Sequence, residues 1–107
     1  MTALADQHCR PLEGQPPMGA AEIAAGLAQL RAWQAADGAI EKRFDFRDFH
    51  RTMAFVNAVA WIAHVEDHHP DLVVGYNRCT VRFSTHSVGG VSINDLICAA
   101  KVDALQP

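Results

Sequence analysis

Six histidines stand in a chain of 107 residues, and three of them, His64, His68 and His69, fall in one short stretch that ends at Pro70. His64 and His68 are four residues apart, which puts them on one face of a helix. The residue before a proline is pushed out of helical geometry, so His69 leaves in another direction. Three kinds of chemistry suit this cluster. Imidazoles at a helix C-terminus complement the helix dipole or cap its free carbonyls. A His-x-x-x-His pair can share a metal ion, with His86 as a further ligand, although no cysteine or carboxylate arrangement completes a recognisable zinc signature. Imidazole also titrates near pH ~6.5, so it donates and accepts protons close to neutrality and suits general acid–base catalysis. Spacing alone leaves all three open.

The element that must hold these histidines is a helix starting near Asp48. Phe49, Met53, Val56, Ala60 and Ala63 recur at helical spacing, with Phe55, Val59 and Ile62 broadening the apolar face. Pro70 predicts its end near Asp67 or His68. Ahead of it, Ala20 to about Ala32 predicts a first helix, with Ile23, Leu27 and Leu30 on one stripe. Trp33 to Ala35 and Ala39 to Phe46 predict a hairpin about Asp37-Gly38. Its alternation is interrupted only by Lys42 on the apolar side. Val73 to His86 predicts a second pair of strands around Gly75. Cys79, Val81 and Phe83 fall on one side, and Arg78, Thr80, Arg82, Ser84 and His86 on the other. After Gly89-Gly90, Ser92 can cap a last helix whose inner stripe is Ile93, Leu96, Ile97 and Ala100. The order α-β-β-α-β-β-α predicts an α+β fold: a four-stranded antiparallel sheet with helices packed on one face and a polar face left open.

Composition narrows the function classes. Half the residues are hydrophobic, 20% are charged and the formal charge is −3, the profile of a globular domain with no general attraction to phosphate backbones. Lys42-Arg43 is the longest basic run, so direct nucleic-acid binding is not expected. No apolar run is long enough to cross a membrane and the start has no secretory pattern, so a cytoplasmic location is expected. Cys9, Cys79 and Cys98 are odd in number without a CxxC, which reads as free thiols. Residues 1–19, rich in Pro and Gly, read as an irregular leader with little core, and 20–107 as a single domain. A domain this small gains burial by self-association.

His64-Val65-Glu66-Asp67-His68-His69-Pro70, followed by Tyr76, His86 and Asp95, is similar to the signature of the pterin-4a-carbinolamine dehydratases. The likeness runs from about Leu30 to Leu105 and takes in Trp33, Phe44-Asp45-Phe46, Phe49, Phe55 and Ser84-Thr85-His86. It implies dehydration of 4a-hydroxytetrahydrobiopterin to quinonoid dihydropterin and water, which recycles the pterin of aromatic amino-acid hydroxylases with no metal or cofactor. By position, His68, His69 and His86 match the family's catalytic histidines, with His68 and His86 expected at the 4a-hydroxyl and His69 near N5. Asp95, Tyr76, Glu66, Ser84 and Thr85 are the expected substrate contacts. Asp95 has a second reading as a first-turn cap behind Ser92, and Tyr76 as a packed aromatic. The chain departs from animal members at Asn94 and Val88, where they carry Arg and Cys, and at His64, where Glu is commoner. The resemblance also implies a homodimer or homotetramer. Its alternative is a non-catalytic binding, assembly or transcription-cofactor protein of the same fold.

Overall fold

Asp37 and Gly38 both adopt left-handed backbone, at φ 47 and 78, the pair of positive angles a two-residue hairpin turn requires. They join β1 (Gln34–Ala36) to β2 (Ala39–Asp45) in antiparallel register. The computed structural model describes residues 3–105. Within them, β3 (Asp71–Val74) and β4 (Arg78–Phe83) complete one antiparallel sheet of order β1-β2-β4-β3. The register sets Ile40 opposite Phe83, Lys42 opposite Val81 and Phe44 opposite Cys79, so those side chains share one face. All but Lys42 are buried there. The other face carries Glu41 paired with Arg82 at 2.8 Å and Arg43 paired with Asp45 at 2.9 Å.

Three helices cover the apolar face: α1 (Ala20–Leu27), α2 (Phe49–Glu66) and α3 (Ile93–Asp103). Their inner residues, including Ile23, Phe55, Val59, Leu96, Ile97 and Val102, join the strand residues in one core. The α+β class and the order of elements are as the sequence predicts. Lys42 is accommodated on the apolar side by pairing: its Nζ donates to Asp103 Oδ1 at 2.9 Å, an oxygen that also accepts the Trp33 Nε1–H at 2.9 Å.

Several boundaries and faces differ from expectation. The first helix stops at Leu27 instead of Ala32, since the chain must turn, with Ala32 at φ 61, to bury Trp33 ahead of β1. The seam of α2 is Thr52, Phe55, Val59, Ala63 and Glu66, rotated from the predicted stripe, and Phe49 and Ala60 are exposed. His86 is not on a strand. The sheet ends at Phe83, and His86 opens a short 3-10 turn, His86–Val88, that the Thr85 to Gly90 bridge closes. In the leader, where little core is expected, Leu4 and Leu12 are buried. Lys101 Nζ donates to Ala5 O and Met18 N to Val91 O, both at 2.8 Å.

Candidate active site

α2 delivers His68. Its N-terminus is capped by Asp48, whose Oδ1 accepts the Arg51 N–H at 2.8 Å, and Asp67 ends it in left-handed geometry at φ 50, a conformation Asp tolerates better than most residues. The reversal lets His68 N donate to Ala63 O at 3.1 Å and turns the ring inward. His68 stacks on the buried Phe83 at 5.9 Å between centroids and 8° between planes. Its Nε2 lies 2.6 Å from Oδ1 of Asp95, which is fully buried.

α3 delivers Asp95, and its carboxylate does two jobs. Oδ2 accepts the Ser92 N–H at 2.9 Å, completing the capping box of α3, and also accepts the Thr85 hydroxyl at 2.8 Å. The expected first-turn cap is therefore also the partner of His68. With its only proton given to Asp95, Thr85 Oγ1 must accept from Ser92 Oγ, 2.7 Å away. An acceptor-only carboxylate facing Nε2 fixes His68 with its N–H at Nε2 and a lone pair at Nδ1.

A cavity of about 240 Å³ opens beside this pair. Glu66, Asp67 and His68 from the end of α2 line it, with Thr85 and Ser87 after β4 and Asn94 from α3. The remaining wall is Cys9 to Glu13 of the leader. Glu66 Oε1 accepts the Cys9 N–H at 2.7 Å and Oε2 accepts His8 Nδ1–H at 2.8 Å. Burial alone would raise the Glu66 pKa, but the bonds from Cys9 and His8 with the charges of Lys101 and His8 outweigh it and hold the carboxyl below its ordinary range. Glu66 thus touches the cavity while fastening the leader.

The other expected residues are placed less centrally. His86 is exposed and lines a shallow depression with Ser84, Gly89, Gly90 and the Asp37-Gly38 turn; Thr85 borders both this depression and the cavity. His69 is exposed. Among the described residues no hydrogen bond joins any two of His68, His69 and His86. Tyr76 is 65% exposed, stacks on Phe49 at 6.4 Å and offers its carbonyl to Thr52 Oγ1. That is the N-terminal end of α2, and the helix's 18 residues, rising about 1.5 Å each, separate it from His68. His64 packs on Trp61 at 5.3 Å. No group of three His, Cys, Asp or Glu side chains among the described residues is arranged to hold a metal ion.

Sequence reasoning missed the leader's part in the cavity and the role of Asn94. Asn94 Nδ2 donates to Arg10 O at 2.7 Å, and its Oδ1 accepts the Arg10 N–H at 3.2 Å. Contacts that span 84 residues of chain leave no periodic trace. The only hint was Leu4 and Leu12, two large apolar residues in a stretch otherwise rich in Pro and Gly.

The family model described as pterin 4 alpha carbinolamine dehydratase matches residues 16–105. A Nitrosomonas eutropha protein named "Putative pterin-4-alpha-carbinolamine dehydratase" is 56% identical over 104 residues, covering 95% of this chain and 92% of that protein. A protein of the same name from Stenotrophomonas maltophilia is 54% identical over 105 residues, covering 95% and 90%. The crystal structure titled transcriptional coactivator/pterin dehydratase from Brucella melitensis superposes with a TM-score of 0.81 at 34% identity, over 85% of this chain and 99% of that one. A pterin dehydratase-like protein identified as a RuBisCO assembly factor in the alpha-carboxysome gives a TM-score of 0.58 at 25% identity, over 71% and 88%. The chain therefore belongs to the pterin 4 alpha carbinolamine dehydratase family.

Proposed function

We propose that the chain dehydrates 4a-hydroxytetrahydrobiopterin to quinonoid dihydropterin and water, recycling the pterin of aromatic amino-acid hydroxylases by histidine acid–base catalysis. The observation that carries this reading is His68, held by the buried carboxylate of Asp95 at the wall of a cavity. The reaction needs two proton movements: the 4a-hydroxyl leaves as water once it gains a proton, and N5 loses a proton as the C4a=N5 bond forms. Electrons move only within the substrate, so the chemistry calls for no redox cofactor. His68, poised at Nδ1, exchanges a proton at the 4a-hydroxyl, with His86 beyond Thr85 as its partner and His69 at the N5 side. Asp95 orients His68, and Thr85 keeps Asp95 a pure acceptor toward it.

The same reading makes the protein a cytoplasmic homodimer or homotetramer that binds neither nucleic acid nor membrane. Its test is to generate the carbinolamine with a hydroxylase and follow its decay with and without the chain. Acceleration that is lost in His68→Ala is expected. No acceleration by the folded wild type would overturn the reading. It would leave the alternative of a binding or assembly protein of the same fold, a reading favoured by the RuBisCO assembly factor's likeness in fold.

A further inference from the structure

The wall of the cavity that faces His68 lies outside the region matched to the family. That region begins at residue 16, whereas the wall is Cys9 to Glu13. This stretch is fastened chiefly through its main chain. Asn94 holds both the N–H and the carbonyl of Arg10, Glu66 holds the N–H of Cys9, and Leu12 is buried. The side chain of Arg10 is treated differently. Its guanidinium makes no hydrogen bond or ion pair among the described residues, and Arg10, an exposed residue, belongs to the lining of both this cavity and the adjoining one. Among the described residues it is also the only Lys or Arg on the cavity wall. A guanidinium is a planar fork of donors, more weakly hydrated than an ammonium and suited to an oxygen acceptor on a flat ligand. Fixing its main chain lowers the entropy lost when the side chain engages.

We infer that Arg10 is a substrate-binding residue of this site, donating to the ring carbonyl oxygen of an oxygenated pterin. That carbonyl sits on the carbon bonded to C4a, so a donor there anchors the ring next to the reacting centre while His68 works at the 4a-hydroxyl. Asn94 is the positioning residue that presents Arg10. The inference rests on the dehydratase reading.

Arg10→Ala tests it in the hydroxylase-coupled assay. A charge-assisted hydrogen bond made equally in ground and transition states should raise KM about tenfold or more and leave kcat near its wild-type value, with Arg10→Lys between the two. Leader docking is read separately as the rate at which Cys9 reacts with a thiol reagent. That rate should stay at the wild-type level in Arg10→Ala and rise in Asn94→Ala, which should also raise KM. An unchanged KM in Arg10→Ala overturns the assignment, as does a raised KM accompanied by faster Cys9 reaction, since that would make Arg10 a fastener. A wild type that does not accelerate decay removes instead the dehydratase reading and, with it, this inference.

A second observation is independent of any substrate. Cys9 Sγ and Cys98 Sγ are 3.5 Å apart, joining the leader to the interior face of α3. Cys9 Sγ lies 3.6 Å from Asn94 O and donates its one proton there, so Cys98 is the donor to the Cys9 sulfur. We also propose that Cys9 and Cys98 form a reversible disulfide with a low-molecular-weight disulfide such as oxidised glutathione. The Cys9 thiolate attacks one glutathione sulfur and releases the first glutathione. The Cys98 thiolate then attacks the Cys9 sulfur and releases the second. The two cysteine protons go to the two departing thiolates, and one disulfide is reduced as one forms. The sulfurs must close from 3.5 Å to about 2.05 Å, a movement available to the non-helical leader. Contact with Cys9 and burial both push the Cys98 thiol up, which makes the second step the slow one. Capping Cys9 removes the first of those two causes.

Trypsin separates the three cysteines. Arg10 precedes Pro11 and resists cleavage, so Cys9 falls in 1–31, Cys79 in 79–82 and Cys98 in 83–101. After treatment of the full chain with oxidised glutathione, peptide 1–31 should be joined to 83–101, with 79–82 free. Cys98→Ser should stop at glutathione on Cys9. Glutathione retained on Cys9 of the wild type without the link, or a link to Cys79, would overturn the proposal.

Discussion

Thr85 has a single hydroxyl proton, and its destination decides what Asp95 does for His68. Given to Asp95, it leaves the carboxylate with two donors on Oδ2 and reserves Oδ1 for the imidazole. Asp95→Asn should break this logic, because an amide nitrogen facing His68 Nε2 would donate and move the ring proton to Nδ1. We expect kcat to fall by about 10²- to 10⁴-fold, the range for a general acid or base, with KM little changed. Steady-state kinetics on a variant that melts cooperatively checks it. An unchanged kcat would reduce Asp95 to the cap of α3. Much of this pair was legible in the sequence, since Pro70 ends the helix at the histidines and Ser92 with Asp95 reads as a capping box. That the cap and the histidine's partner share one carboxylate was not legible, because only the packing of α2 against α3 brings them together.

The leader and α1 show how elements far apart in sequence set the shape of the site. Glu66 ends α2 yet binds the leader 57 and 58 residues away. Its pKa is lowered on folding, so its contribution to stability is complete above the ordinary carboxyl value of 4.5 and is lost as pH falls through the lowered folded value. Glu66→Gln should therefore melt below wild type at pH 7, and the gap should close as the pH drops well under 4.5. Thermal melts of both proteins across pH 3 to 7 read this directly, and a gap independent of pH would contradict it. α1 is placed by close approach. A Cβ on Gly26 would run into Leu96 Cδ1, and Leu96 is 2% exposed. Gly26→Ala should cost about 1–3 kcal/mol by overpacking despite the better helix propensity of alanine. Denaturant titration would show it, and a stabilised variant would mean that α1 shifts freely on α3.

At the scale of the whole molecule, α2 accounts for both the misread seam and the expected self-association. Alanines and large apolar residues lie on two separate sides of this helix, so a count of apolar spacings finds a stripe without saying which one is the core. The inner side holds Phe55, Val59 and Ala63, all buried. The outer side holds Ala54, Ala58, Trp61 and Val65 at i, i+4, i+7 and i+11, with Trp61 66% and Val65 55% exposed. A helix apolar on two sides needs two partners, and the described residues supply one. β3 adds an edge strand whose Val73 is 69% exposed, with an unpaired backbone on its free side. We expect a second copy of the chain on the outer side of α2, because a symmetric contact lets one patch meet itself. The wild type is expected to run as a dimer or tetramer in size-exclusion chromatography with light scattering. Trp61→Glu should shift it toward the monomer, since placing a charge in an apolar contact costs several kcal/mol, and melts of the variant would show that the fold persists. A wild type that is monomeric at micromolar concentration, or a Trp61→Glu variant with unchanged mass, would remove α2 as the contact.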